Sequence, residues 1–174
     1  MIYVSSATIN NNSIESCVRE LADIGIQKIE LSGGCNYSEG ITDKLKSLRQ
    51  EYALDYLIHN YFPPPENDFI LNIASHDEDV KLRSIRFAKT SIDLAHSLRI
   101  DHHTLHAGYT NKLLPKTEDG RFIVAEDTGV NIDFAFDIMI KSLSEIDEYA
   151  KEYRVKIGIE NLFPFGGPDN SSLL

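Results

Sequence analysis

The chain has 174 residues, of which 42% are hydrophobic and 25% are charged, a composition ordinary for a globular protein with its own core. Its 27 acidic residues outnumber the 17 basic residues and give a net charge of −10. This charge disfavours nucleic acid and anionic membranes as partners, because phosphate binding normally requires a basic surface. We find neither a signal peptide nor an apolar stretch of about 18 residues, the length of a membrane helix. We therefore expect a single cytoplasmic domain over residues 1–174.

The N-terminal part of the chain alternates short strands with amphipathic helices. Asn12 is expected to cap the first helix, because Glu15 follows three residues later in a capping-box arrangement. Cys17 lies on its apolar stripe, so we expect this cysteine to be packed in the core. The predicted strands cover residues 2–5, 28–31 and 54–58, and the predicted helices cover residues 13–24 and 41–51.

The same alternation continues to the end of the chain. A long helix is expected to start at Ser75, with Glu78 completing a second capping box, and Asn131 is expected to cap the last helix. Residues 110–130 contain a turn sequence and predict a small hairpin or lid. These two helices are predicted over residues 75–98 and 131–153, and two further strands over residues 102–105 and 155–160. The side chains expected to face inward from the last helix are Phe136, Met139, Ile140, Leu143 and Ile146.

Polar and apolar residues alternate along most of the predicted strands. Ile29 and Ile157 each stand between polar or small neighbours. Parallel strands covered by helices on both faces would instead be continuously apolar. Repeated strand–helix units with one polar face predict an α/β fold of the TIM-type (β/α) barrel class. The chain would supply about five of the eight βα units, a partial barrel truncated on its C-terminal side.

Four residues whose side chains can bind metal ions lie at the ends of predicted strands, on the polar face. They are Glu30, His59, His106 and Glu160. In parallel barrels the functional site lies at this end of the strands. Two imidazoles and two carboxylates predict a divalent-metal site. Each residue also has a structural alternative, since a strand histidine is often a hydrogen-bonded core residue and Glu160 could pair with a lysine. His103 faces the helices and is expected to be structural.

Four segments in chain order together resemble the xylose isomerase-like TIM-barrel superfamily. They are Ile58-His59-Asn60-Tyr61-Phe62-Pro63, Phe69-Ile70-Leu71-Asn72-Ile73-Ala74-Ser75, Leu105-His106-Ala107-Gly108 and Ile159-Glu160-Asn161. That group includes sugar and sugar-phosphate isomerases and epimerases and the zinc-dependent AP endonucleases. In the endonucleases, the residues matching His59, His106 and Glu160 help to bind zinc. In the epimerases, the residue matching Glu160 binds one divalent ion and acts as an acid/base group.

The resemblance implies a divalent-metal-dependent sugar or sugar-phosphate isomerase or epimerase that transfers a proton through an enediolate. The metal, one of Mn, Mg, Co or Zn, would be bound by Glu160, His59 and His106, with Glu160 also catalytic. The residues expected to contact the sugar are Glu30, Tyr61, Phe62 and Asn161, although Tyr61 and Phe62 could equally anchor their loop. The first alternative is an AP endonuclease-like zinc phosphodiesterase. The second is an inactive half-barrel that needs a partner, since open sheet edges favour association, including homo-oligomers.

Overall fold

The computed structural model describes residues 2–67, 69–110, 112–114, 123–126 and 131–160. By compactness the chain divides into two units, and the division passes through two of the strands. The first unit comprises Met1–Asn67, Thr90–Thr104 and Lys151–Gly158, and the second comprises Asp68–Lys89, Leu105–Ala150 and Ile159–Leu174. No helix among the described residues is long and apolar enough to cross a membrane.

Strands and helices alternate as the sequence predicts. In chain order the elements are β1 (Val4–Ser5), a short 3₁₀ helix (Ser6–Thr8), α1 (Ile14–Asp23), β2 (Lys28–Leu31), α2 (Ile41–Tyr52), β3 (Asp55–Ile58), α3 (Glu78–Ser97), β4 (His102–His106), β5 (Lys112–Leu114), β6 (Ile123–Glu126), α4 (Ile132–Glu152) and β7 (Lys156–Glu160).

Five of the strands form one parallel sheet in the order β1-β2-β3-β4-β7. Leu31 is paired with Ile58, and Ile58 is paired in turn with His103. The predicted hairpin within residues 110–130 is confirmed, since β5 and β6 pair antiparallel. The prediction of an α/β fold with about five βα units is thereby confirmed.

Buried and partly exposed residues alternate along the central strands. Ile29 and Leu31 of β2 have no exposed surface, and Tyr56 and Ile58 of β3 are at most 2% exposed. Their neighbours on the opposite face are only partly buried. The sheet therefore has one face in the core and one polar face, as predicted.

Cys17 of α1 is fully buried, which confirms its expected place in the core.

The residues that cap two helices differ from those predicted. Ser13, not Asn12, caps α1, because Ser13 is extended and its side chain accepts a hydrogen bond from the Ser16 amide at 3.3 Å. The helix α3 begins at Glu78 rather than Ser75. The Asp77 carboxylate caps it by accepting hydrogen bonds from the Asp79 and Val80 amides. Both segments contain several capping residue types, and spacing alone does not select among them. The prediction for Asn131 is confirmed by its hydrogen bond from the Asp133 amide at 2.8 Å.

The buried face of α4 is also shifted from the prediction. Phe136 and Ile140 were expected inside but are 42% and 46% exposed. The residues that α4 buries are Ala135, Met139, Ser142, Ile146 and Ala150. Two adjacent stripes of this helix are apolar enough to be buried, and the one with small residues permits closer packing. Ile159 of β7, expected on the packed face, is 37% exposed, consistent with the position of β7 at the end of the sheet order.

His103 is a core residue, as predicted from its position on the apolar side of β4. It is 2% exposed, and its Nδ1 lies 3.3 Å from the Ile58 carbonyl oxygen, to which it donates a hydrogen bond. Burial lowers the pKa of the His103 imidazole from 6.5 to about 4. The side chain is therefore neutral at physiological pH.

We expect the free energy of unfolding to decrease as the pH falls from 6.5 towards the folded-state pKa of His103, about 4. In this range the unfolded chain binds a proton that the folded protein excludes, so acidification favours unfolding, by about 3 kcal/mol in total. Urea denaturation at several pH values would compare the wild type with His103→Gln, which retains an N–H donor for Ile58. An equal pH dependence in the two proteins would contradict this assignment.

Candidate functional site

Three residues with metal-binding side chains lie at the C-terminal ends of neighbouring strands. His59 directly follows β3, and its amide continues the sheet by donating to the Leu31 carbonyl at 2.9 Å. His106 is the last residue of β4, and Glu160 is the last residue of β7. Because the strands are parallel, their C-terminal ends lie at the same edge of the sheet, where functional sites of such folds are found.

His106 and Glu160 form a close pair. The His106 Nε2 lies 3.4 Å from the Glu160 Oε2. The imidazole is mostly buried, at 21% side-chain exposure, whereas the carboxylate is half exposed. The pair therefore combines an imidazole held by its surroundings with a carboxylate that reaches solvent.

His59 is held by a different set of groups. Its Nδ1 lies 2.8 Å from the Thr104 Oγ1 and 3.9 Å from the Glu30 Oε1. Its side chain is 17% exposed, so the imidazole is largely shielded from water. A hydrogen bond to one ring nitrogen restrains the plane of an imidazole, which is a usual way to orient a metal-binding histidine.

One ligand atom from each of His59, His106 and Glu160 can be chosen so that all three lie within 4.8 Å of one another. Ligands bound to a single ion at about 2.1 Å are separated by about 3–4 Å. Two imidazoles and one carboxylate are suitable ligands for borderline divalent metals.

The residues predicted to contact a substrate differ in their placement. Glu30 lies beside His59, and Tyr61 is half-buried with a left-handed backbone at φ 60°. Phe62 has no exposed surface, and its carbonyl accepts a hydrogen bond from the Ser91 hydroxyl at 2.7 Å. A ring without accessible surface cannot stack on a sugar, so Phe62 supports the alternative of a loop anchor. Asn161 lies outside the described residues.

Two residues near the site, Thr104 and Gly158, are not among the site residues predicted from the sequence. Thr104 contacts His59, and its position on the polar face of β4, two residues before His106, was the available signal. Gly158 of β7 lies opposite Thr104, where an added Cβ would come within 3.0 Å of the Thr104 Cγ2. The missing side chain leaves the space that Thr104 occupies, and sequence periodicity does not reveal this contact.

Comparison with known proteins gives the same family from sequence and structure. A family model described as a xylose isomerase-like TIM barrel matches residues 18–172. An uncharacterised protein of Methanocaldococcus jannaschii is 28% identical over 166 residues, which are 94% of this chain and 50% of that protein. Fructoselysine 3-epimerase of Shigella flexneri is 22% identical over 158 residues, 87% of this chain and 50% of the enzyme.

The crystal structure of a D-tagatose 3-epimerase-like protein has a TM-score of 0.71 and 26% identity, covering 94% of this chain and 54% of that chain. The chain thus spans about half the length of the relatives it matches. The match over residues 18–172 confirms the family predicted from the sequence. The chain belongs to the xylose isomerase-like TIM-barrel family.

Proposed function

We propose that this chain supplies part of the active site of a divalent-metal-dependent sugar or sugar-phosphate epimerase or isomerase. The observation that carries the proposal is the group formed by His59, His106 and Glu160, whose ligand atoms lie within 4.8 Å of one another. Their location at the C-terminal edge of a parallel sheet supports it, as does the similarity to a fructoselysine 3-epimerase and to a D-tagatose 3-epimerase-like protein.

The donor set favours some metals over others. Imidazole is a good ligand for Zn, Co and Mn, whereas Mg prefers oxygen ligands and keeps several waters. We therefore propose Zn, Co or Mn ahead of Mg. When bound, such an ion would polarise the substrate carbonyl and the hydroxyl next to it, lowering the energy of the developing negative charge.

Glu160 is the proposed base. Its half-exposed carboxylate can accept the proton from the carbon adjacent to the ketose carbonyl. The C–H electron pair then forms the carbon–carbon double bond, and the carbonyl π electrons move to oxygen and give the enediolate. The Glu160 carboxylate has two oxygens, so one could hold an ion while the other accepts the proton. The 3.4 Å separation between the His106 Nε2 and the Glu160 Oε2 suits two ligands of the same ion.

Inversion of the carbon requires an acid on the opposite face of the enediolate. Because the chain spans about half the length of its relatives, we propose that this acid comes from the part of the fold that the match does not cover. Glu30 and the loop at Tyr61, both close to His59 in sequence or space, are the proposed contacts for sugar hydroxyls, together with Asn161.

The substrate is proposed to be a neutral sugar rather than a phosphorylated one. The chain carries a net charge of −10, which opposes the approach of a phosphate group. The same charge weighs against the AP endonuclease-like alternative, although two histidines and a glutamate would also suit zinc. Nuclease function would require DNA binding that weakens steeply as salt is raised.

Glu160→Gln should weaken the binding of Mn²⁺ or Co²⁺ by about tenfold or more, because the amide removes the negative charge among the donors. Isothermal titration of the wild type, Glu160→Gln and the control Glu152→Gln, an exposed carboxylate of α4, measures this. Equal affinities in all three proteins would remove Glu160 as a ligand.

The role of Glu160 as base has a separate readout. The metal-loaded protein should exchange the C3 proton of D-tagatose or L-ribulose for deuterium in D₂O, as followed by NMR, and Glu160→Gln should not. Exchange by Glu160→Gln at the wild-type rate would refute the base assignment. Glu160-dependent metal binding without any exchange would instead favour the half-barrel alternative.

Thr104→Val should weaken metal binding by about tenfold, because valine keeps the shape of threonine but removes the hydroxyl that holds His59. The matched control is Thr90→Val on the exposed surface of α3, which should leave the affinity unchanged. Equal affinities for the two variants would show that Thr104 does not orient a ligand.

A further inference from the structure

The side chain of Asn72 binds the main chain of the segment that follows β4. Asn72 is 5% exposed, and its Nδ2 donates a hydrogen bond to the Tyr109 carbonyl at 2.9 Å. Its Oδ1 accepts hydrogen bonds from the Tyr109 amide and from the Ala74 amide, both at 3.0 Å. The primary amide thus pairs with both polar groups of Tyr109, as the backbone of an adjacent strand would do.

The backbone of Asn72 is itself fixed to α3. Its amide donates to the Ser84 hydroxyl at 2.9 Å, and this hydroxyl donates to the Val80 carbonyl at 2.7 Å. Ser84 has no exposed surface. A rigid helix therefore holds Asn72 from one side while Asn72 holds Tyr109 from the other.

Gly108 allows the two segments to approach closely. Its φ is +115°, and an added Cβ would lie 2.6 Å from the Asn72 Oδ1 and 2.9 Å from the Ala74 Cβ. Any side chain at this position would displace the Asn72 amide, and it would also strain the backbone. The Asn72 contact and Gly108 are therefore parts of one arrangement.

We propose that Asn72 is a positioning residue for His106. His106 ends β4, and the chain is fixed by Asn72 only three residues later, at Tyr109. The intervening Ala107 and Gly108 are buried. With β4 on one side and Tyr109 fixed on the other, the His106 backbone has little freedom, which keeps the imidazole beside Glu160. The functional consequence rests on the proposed role of His106 as a metal ligand.

The chemistry of this contact requires an amide. An aspartate in place of Asn72 would still accept hydrogen bonds from the two amide groups but could not donate to the Tyr109 carbonyl, which it would repel. An alanine would leave the Tyr109 amide and carbonyl and the Ala74 amide without this partner in a buried setting. Asn72→Asp is thus nearly isosteric and tests the hydrogen bond to the Tyr109 carbonyl, whereas Asn72→Ala tests the whole contact.

The test compares Asn72→Asp and Asn72→Ala with the control Ile85→Ala. Ile85 is buried in α3 of the same unit, so its truncation lowers stability by creating a cavity. The readouts are the NMR chemical shifts of the His106 imidazole in the metal-free protein and the Co²⁺ affinity from its visible absorption. Both Asn72 variants should change the His106 shifts and weaken Co²⁺ binding by about tenfold. Ile85→Ala should lower the Tm and change neither readout.

Unchanged His106 shifts in the Asn72 variants would overturn the proposal, as would equal shifts in Ile85→Ala. If Asn72→Ala does not fold, the nearly isosteric Asn72→Asp decides the matter by the same readouts. His106→Ala separates this inference from the proposed function. If His106→Ala binds Co²⁺ like the wild type, the proposed metal site fails, and the metal-free shifts still decide the role of Asn72. If His106→Ala binds Co²⁺ weakly while the Asn72 variants bind Co²⁺ normally, the metal site stands and only the positioning role of Asn72 fails.

Discussion

The parallel register of the sheet is the constraint on which the rest of the structure depends. Ile58 pairs with His103, so that one residue further along each strand His59 lies beside Thr104, and the two side chains meet at 2.8 Å. A shift of one residue would turn every side chain of a strand to the other face. Burial of Ile58 and Leu105 on the apolar face prevents such a shift. The core thereby determines which polar side chains reach the C-terminal edge.

Two histidines in neighbouring positions show how this constraint assigns chemistry. His103 points to the apolar side, where burial lowers its pKa to about 4 and leaves a neutral ring bound to a carbonyl. His59 lies on the polar side, remains 17% exposed and contacts a hydroxyl and a carboxylate. A charged imidazole at the His103 position would be costly, because burial removes its solvation. Position on the strand, rather than residue type, therefore separates a structural histidine from a candidate ligand.

Much of the fold could be predicted because it follows from local periodicity. The strand β2 has the predicted bounds, and the strand-end positions of His59, His106 and Glu160 follow from counting along alternating strands. The helix caps and the buried face of α4 were harder to predict, because several neighbouring residues suit each of these positions. Asn12 and Ser13 both suit a cap, and α4 has two apolar stripes of which only one is buried. Hydrogen bonds from a side chain to the main chain of a segment distant in sequence could not be predicted.

The contact between Asn72 and Tyr109 is the clearest case of that kind. The Leu-Asn-Ile-Ala-Ser segment contributed to the family resemblance, yet no periodicity indicates that its asparagine binds main chain 37 residues away. Gly33 offers a parallel in the other unit, since a Cβ there would lie 2.8 Å from the Tyr61 Cβ. At both places a glycine lets the backbone of a loop at the end of a strand pack directly against another segment.

Such packing has a consequence for a metal site built on strand ends. An ion bound by several side chains requires their donor atoms to be held to within a fraction of an ångström, and loops are ordinarily the most mobile part of a fold. His106 lies at the junction of a strand and a loop. Its imidazole would be held in a precise position only if the loop were as well fixed as the strand. Two hydrogen bonds between the buried Asn72 side chain and the Tyr109 main chain supply that restraint without using a side chain of the loop itself. The main chain, held by the Asn72 side chain, thereby keeps the imidazole in place.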